Sequence, residues 1–193
     1  RIKDYLSLVK VSHTISAFPF AMIGFFMGTA DKGTSVSYIT LLLIILCMVF
    51  GRNAAMSFNR YIDRHIDKQN PRTSDREIPS NIISERSAIL FFTINSLLFV
   101  ITTIFINTLC FYLSFVALFV ILVYSYTKRF TALCHIVLGL SLSLAPIGAY
   151  IATTGHFDIK PILRAITVLL WVSGFDILYS LQDIDFDKQM QLK

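Results

Sequence analysis

Residues 52–79 read RNAAMSFNRYIDRHIDKQNPRTSDREIP and begin while the chain is still inside a long apolar run. An ionisable side chain in lipid costs on the order of several kcal/mol, so charge in such a place demands a reason. Asn59, Asp63 and Asp67 are spaced four apart. If the preceding helix continues, they form one stripe that drifts only about 40° per step. One face then carries an amide and two carboxylates. A second acidic stretch, Asp176, Asp183, Asp185 and Asp187, closes another apolar run, with Asp183 and Asp187 again four apart. Two acidic stripes on membrane helices call for a cation between them, since converging carboxylates otherwise repel or hold protons.

The composition sets the class. Hydrophobic residues make up 55% of the 193, only 15% are charged, and the mean hydropathy is +0.67, the balance of a polytopic membrane protein. The net charge of +5 does not signal nucleic acid, because Lys and Arg cluster between apolar runs, where they suit lipid headgroups, topology and phosphorylated ligands. Cys47, Cys110 and Cys134 all lie within apolar runs and read as buried small hydrophobes.

Six apolar stretches are long enough to cross a hydrocarbon core, near 11–30, 38–58, 87–106, 109–126, 131–153 and 162–182. The expected fold is an all-α polytopic transmembrane helix bundle. The first stretch lacks a small-residue cleavage site and is read as a retained helix. Turn signals agree with these limits: Asp31-Lys32-Gly33, Asn107, and Thr154-Gly155-His156 with Pro161. Arg1, Lys3, Lys10, Arg60, Arg64, Lys68, Arg72, Arg76, Arg86, Lys128, Arg129, Lys188 and Lys193 fall on one side, against Lys32, Lys160 and Arg164 on the other. By the positive-inside rule the N-terminus and both acidic motifs are expected on the cytoplasmic side. Lys, Ile and Asn usage is compatible with a bacterium, so the expected location is a bacterial inner (cytoplasmic) membrane.

Asp63, Asp67, Asp183 and Asp187 offer at least four hard oxygen ligands, a set that suits Mg²⁺ completed by water and substrate phosphate. Arg72, Arg76, Lys128 and Arg129 on the same side suit the oxygens of a diphosphate. Together they would stabilise a departing diphosphate. An allylic cation left behind needs a dry aromatic chamber, which 17 Phe and 8 Tyr can line. Arg52, Asn53 and Asp176, within or closing spans, are read as facing the bundle interior, whether touching a ligand or bracing the cavity. His135 has no partner at ligand-like spacing and is read as structural, while Arg60, Arg64, Lys68 and Arg129 are read as topology determinants or lipid contacts.

The motifs resemble those of the UbiA superfamily of intramembrane aromatic prenyltransferases. Asn59, Asp63 and Asp67 match its first signature; Asp176, Tyr179, Asp183 and Asp187 its second; Tyr124 and Lys128 a Tyr-x-x-x-Lys element. Asn59-Arg60, Asn70-Pro71-Arg72-Thr73 and Arg76 with Ile78-Pro79-Ser80 look like the 4-hydroxybenzoate polyprenyltransferase type. IDRHIDKQNPRT and DILYSLQDIDFD are similar to the MqnP-like enzymes of the futalosine route to menaquinone. Glu77 and Asn81 depart from the pattern, where Pro and Gly are common, with local consequences expected.

The resemblance implies nine helices around a central cavity opening near the cytoplasmic face, so residues 1–193 are expected to form one such domain lacking its C-terminal third. It implies Mg²⁺-dependent transfer of a polyprenyl group from polyprenyl diphosphate to a ring carbon of a hydroxylated aromatic acid such as 4-hydroxybenzoate, in ubiquinone or menaquinone biosynthesis. Asp63 and Asp67, with Asn59, would hold one Mg²⁺, and Asp183 and Asp187 a second. Arg72 and Lys128 would clamp the diphosphate, Tyr124 and Tyr179 would orient groups or shield the cation, and Asp176 would position the acceptor or a neighbouring cation. The alternative from the residues alone is a cation-coupled transporter of an anionic solute. It explains buried charge but not two acidic stripes sharing one side.

Overall fold

The computed structural model describes residues 2–33, 35–127, 129–131 and 133–183, with 11–13, 16 and 183 by their backbone alone. Among them the chain forms α1 (Ile2–Val9), α2 (Val11–Lys32), α3 (Tyr38–Gln69), α4 (Glu85–Ile104), α5 (Thr108–Thr127), α6 (Cys134–Thr154) and α7 (Ile159–Ser180), closed by a 3₁₀ turn at Leu181–Asp183. Five of these, α3 to α7, are long and apolar enough to cross a membrane, and the chain is an integral membrane protein. The first expected span is the 22-residue helix α2.

The limits have local causes. Lys10 at φ 49° breaks α1 from α2, and Gly33 at φ 62° ends α2 with its N–H donating to the Ala30 carbonyl at 3.1 Å. The Ser37 and Ser84 hydroxyls cap α3 and α4 by accepting from the Thr40 and Ser87 amides, and the Asp158 carboxylate does the same for Lys160 at the start of α7. α3 does not stop at the expected membrane limit. Its 32 residues extend about 48 Å, against a hydrocarbon core of about 30 Å. The acidic stripe therefore rides on an unbroken helix.

Lipid offers little hydrophobic drive for helices to associate, so close packing and interhelical hydrogen bonds must hold the bundle. α6 makes its most extensive contacts with α2 and α7. A Cβ at Gly24 would lie 2.1 Å from the Pro146 carbonyl oxygen, and one at Gly28 would lie 2.9 Å from Thr153 Cβ. α2 and α6 thus run parallel with backbones nearly touching. At Gly139 a Cβ would come within 2.5 Å of the Leu169 carbonyl oxygen, which brings α7 antiparallel to α6. Polar ties join the rest: Asn53 Nδ2 donates to Asn95 Oδ1 at 3.1 Å between α3 and α4, and Asn107 Nδ2 donates to the Ile151 carbonyl at 3.0 Å. Apolar side chains such as Phe119 and Trp171 stay exposed on the outside, as a lipid-facing surface requires.

The two ends differ. At one end, α1 and the 70–84 connection are held by Leu8, Ile78, Ile83 and Ala88, packed with Tyr5, Tyr61 and Phe91. At the other, Asp31 accepts from Lys160 Nζ at 2.7 Å and from the Tyr150 hydroxyl at 3.0 Å, tying α2 to α6 and α7. The Lys160 ammonium first, and the Tyr150 hydroxyl next, hold the Asp31 carboxyl below its ordinary range, and the Asp31 carboxylate in turn raises Lys160.

Two outcomes follow from this packing. Gly24→Val should lower the melting temperature in detergent by several degrees, since overpacking costs about 1–3 kcal/mol. Gly148→Ala, whose added methyl meets nothing within 4 Å, should leave it unchanged or raise it. The Asp31 tie is present above the ordinary carboxylate range and is lost as pH falls through the lowered folded value. The Lys160 contribution is present below the ordinary lysine range and is lost as pH rises through the raised one. The difference in melting temperature between wild type and Asp31→Asn should therefore be largest near neutrality and shrink as the pH falls below the ordinary carboxylate range.

Candidate functional site

The last three turns of α3 carry the first stripe. Asn59 is half-buried, while Asp63 and Asp67 are only 2% and 5% exposed. A buried carboxylate needs a cation or several donors. Arg76, from the connection after α3, donates through Nη1 to both oxygens of Asp67, at 2.7 and 2.8 Å. Arg129, just past α5, sets Nη2 3.6 Å from Asp63 Oδ1 and donates to the Ile62 carbonyl at 2.7 Å.

The 70–84 connection is built to deliver Arg76. The Thr73 hydroxyl donates to the Asp67 carbonyl at 3.1 Å, and the Asn70 side chain accepts from the Arg72 amide at 2.9 Å. Asn81 adopts φ 59°, a conformation that suits the glycine common there. Glu77 is buried and accepts from the Ser7 hydroxyl, so its consequence reaches beyond the loop to α1. The same connection brings Arg72 to the second motif, with its guanidinium carbon 5.8 Å from the centre of the Tyr179 ring, which stacks on Phe175.

Asp176, on α7, meets His135, at the start of α6: Nδ1 and Oδ2 are 2.7 Å apart. Tyr124, on α5, lies near Asp176, Asp63, Arg52 and Cys134. Arg52 lies deeper in α3 with its Nε buried and without a hydrogen-bond partner.

Asn59, Asp63, Asp67, Arg72, Tyr124, Asp176 and Tyr179 thus gather at one end of the bundle. Lys128 and Asp187 lie outside the described residues, as does the side chain of Asp183. Among the described residues no three His, Cys, Asp or Glu side chains cluster as a metal site. The donors present, two buried carboxylates and an amide, are the hard oxygen set that fits Mg²⁺.

One expectation is corrected. Arg60 is not a surface or lipid contact: it is 4% exposed, with Nε and Nη1 lacking hydrogen-bond partners. Its place three and seven residues before Asp63 and Asp67 was the available signal. His135, read as structural, has Asp176 as its partner, and no local spacing could reveal a residue 41 positions away. Arg64 packs over Tyr61 and pairs with Glu85 at 3.0 Å.

Comparison with known proteins agrees with this geometry. The 4-hydroxybenzoate octaprenyltransferase of Vibrio cholerae is 33% identical over 156 residues, covering 79% of this chain and 54% of its own. The chain spans about half the length of the curated relatives it matches. The apo structure of a UbiA homolog from Aeropyrum pernix K1 superposes with a TM-score of 0.85 at 31% identity, over 94% of this chain and 67% of that one. A UbiA homolog from Archaeoglobus fulgidus, bound to GPP and Mg²⁺, shares the fold with a TM-score of 0.77 at 24% identity, over 98% and 67%. Residues 17–193 match the UbiA prenyltransferase family, and the chain belongs to it.

Proposed function

We propose that this chain, acting as one transmembrane domain, belongs to an enzyme that transfers a polyprenyl group from polyprenyl diphosphate to a ring carbon of a hydroxylated aromatic acid, with Mg²⁺ as cofactor. The observation that carries the reading is the placement of two buried carboxylates, Asp63 and Asp67, the latter against Arg76, at the end of an apolar bundle, where Arg72 of the same connection lies over the Tyr179 ring of the second motif. The relatives' names support 4-hydroxybenzoate as the acceptor, and ubiquinone or menaquinone biosynthesis is the setting that the motif resemblance implies.

Asp63 and Asp67, with Asn59, would hold one Mg²⁺, and Asp183 and Asp187 another. Bound Mg²⁺ neutralises the diphosphate and stabilises the charge it gains on leaving. Arg76 exchanges its hold on Asp67 for the diphosphate oxygens, and Arg72 and Lys128 bind the same group. The faces of Tyr124 and Tyr179 flank the allylic cation and help to exclude water. Arg52, a buried guanidinium without a full set of partners, receives the carboxylate of the acceptor. The acidic end faces the cytoplasm of a bacterial inner membrane, a reading supported by the Lys and Arg that crowd that end. The prenyl tail lies among the helices or in the surrounding lipid.

The test is prenyl transfer by the full chain in liposomes, supplied with a polyprenyl diphosphate and a panel of hydroxylated aromatic acids, with and without Mg²⁺. Product that depends on both metal and one acid supports the reading, and no product from any acid overturns it. Asp63→Asn should lose turnover on the order of a hundredfold or more while the fold is retained. Arg52→Gln should raise the KM for the acid about tenfold to a hundredfold, the worth of a charged hydrogen bond, with the KM for the diphosphate unchanged.

A further inference from the structure

Resting on the transfer reading, one proton remains without a named acceptor. The ring carbon forms a bond to the terminal allylic carbon as the carbon–oxygen bond to the diphosphate breaks, and the electron pair of that bond departs with the diphosphate. The prenylated ring is then cationic. It recovers aromaticity when the C–H pair at the attacked carbon returns to the ring and H⁺ leaves. The arginines around the site are protonated donors, and the carboxylates of the stripes are committed to cations.

His135 and Asp176 have the build the step requires. Nδ1 and Oδ2 are 2.7 Å apart, and the side chains are 20% and 27% exposed, so the pair is largely withdrawn from its surroundings. Facing a carboxylate oxygen, Nδ1 is the ring nitrogen placed to carry the hydrogen, a tautomer that leaves the lone pair on Nε2. The frame is rigid: one turn into α6 from His135, Gly139 meets the Leu169 carbonyl and Ser173, one turn before Asp176, with no room for a Cβ. The pair stands at the same end of the bundle as the first acidic stripe: Tyr179, one turn past Asp176 on α7, lies against Arg72, on the connection that carries Arg76 to Asp67. A base held by an orienting carboxylate beside the reacting centre is the arrangement general-base catalysis needs.

We propose that His135 Nε2 accepts the proton lost from the prenylated ring, with Asp176 as the positioning residue that fixes its tautomer and direction.

The test compares wild type, His135→Gln and Asp176→Asn in liposomes, using the aromatic acid with hydrogen or deuterium at the ring positions ortho to its hydroxyl. For His135→Gln, kcat should fall about a hundredfold. Both KM values should stay within about threefold, and the ratio of rates with the two isotopes should rise above the wild-type ratio, to about two or more, as proton loss becomes rate-limiting. Asp176→Asn should show the same pattern with a smaller loss, and it decides the matter if His135→Gln does not fold. A kcat within about twofold of wild type, a loss carried by KM, or a fall in kcat with no rise in the isotope ratio would each overturn the proposal. If wild type forms product and the variants match it, this inference alone fails. If wild type forms none from any acid, the transfer reading fails and takes the inference with it.

Discussion

The contact on which the acidic end depends is the one between Asp67 and Arg76. A carboxylate that is 5% exposed at the end of a membrane helix is tolerable only with a cation against it, and breaking such a buried pair costs about 3–5 kcal/mol. Arg76 reaches Asp67 because the chain after α3 turns back, pinned by the Thr73 hydroxyl on the Asp67 carbonyl. That connection is in turn held down by α1, through Leu8 against Ile78 and Ile83 and through Ser7 on Glu77. The short first helix, far from the acidic stripe in sequence, is part of what keeps the stripe neutral.

This arrangement also suits a site that must handle charge in bursts. A guanidinium stays protonated throughout and reorients on a flexible stem, so it can balance a carboxylate at one moment and a phosphate at the next. Arg60 stands close by, buried and with unused donors, and its charge acts within the same group as Asp63, Asp67, Arg76 and Glu77. The surroundings of the stripe therefore hold more positive hydrogen-bonding capacity than the described carboxylates consume.

What could be read from the chain beforehand divides along the range of the interactions. Helix α3 announced itself because its apolar run and its four-residue spacing of Asn59, Asp63 and Asp67 both repeat within a turn. The other long helices were visible as runs of the right length, and their ends as Gly33, Asn107 and Gly155. The contacts that assemble them were not. Nothing local marks His135 as the partner of Asp176, or Ser7 as that of Glu77, 70 positions away. The separation of α1 from α2 rests on the backbone at Lys10, which no residue preference would suggest. Nothing in the sequence around Gly24 and Gly28 marks α6 as the helix that packs against them. The burial of Arg60 was legible in principle from its register with the two aspartates, yet its charge argued for the surface.

The seam between α2 and α6 bears on how the protein is made. Neighbours in sequence can pair as they leave the ribosome, as α3 and α4 do, but the partner that fills the glycine groove of α2 arrives late: Asp31 and Tyr150 are 119 residues apart. At ordinary rates of synthesis that interval is on the order of ten seconds. Throughout it, the groove on α2 must be occupied by lipid chains or by the insertion machinery, and α6 has to displace that occupant rather than simply dock. Final assembly of this seam therefore comes late, and a chain stalled before α6 would leave α2 held only by its packing of Ala21 and Phe25 against Ile44 of α3.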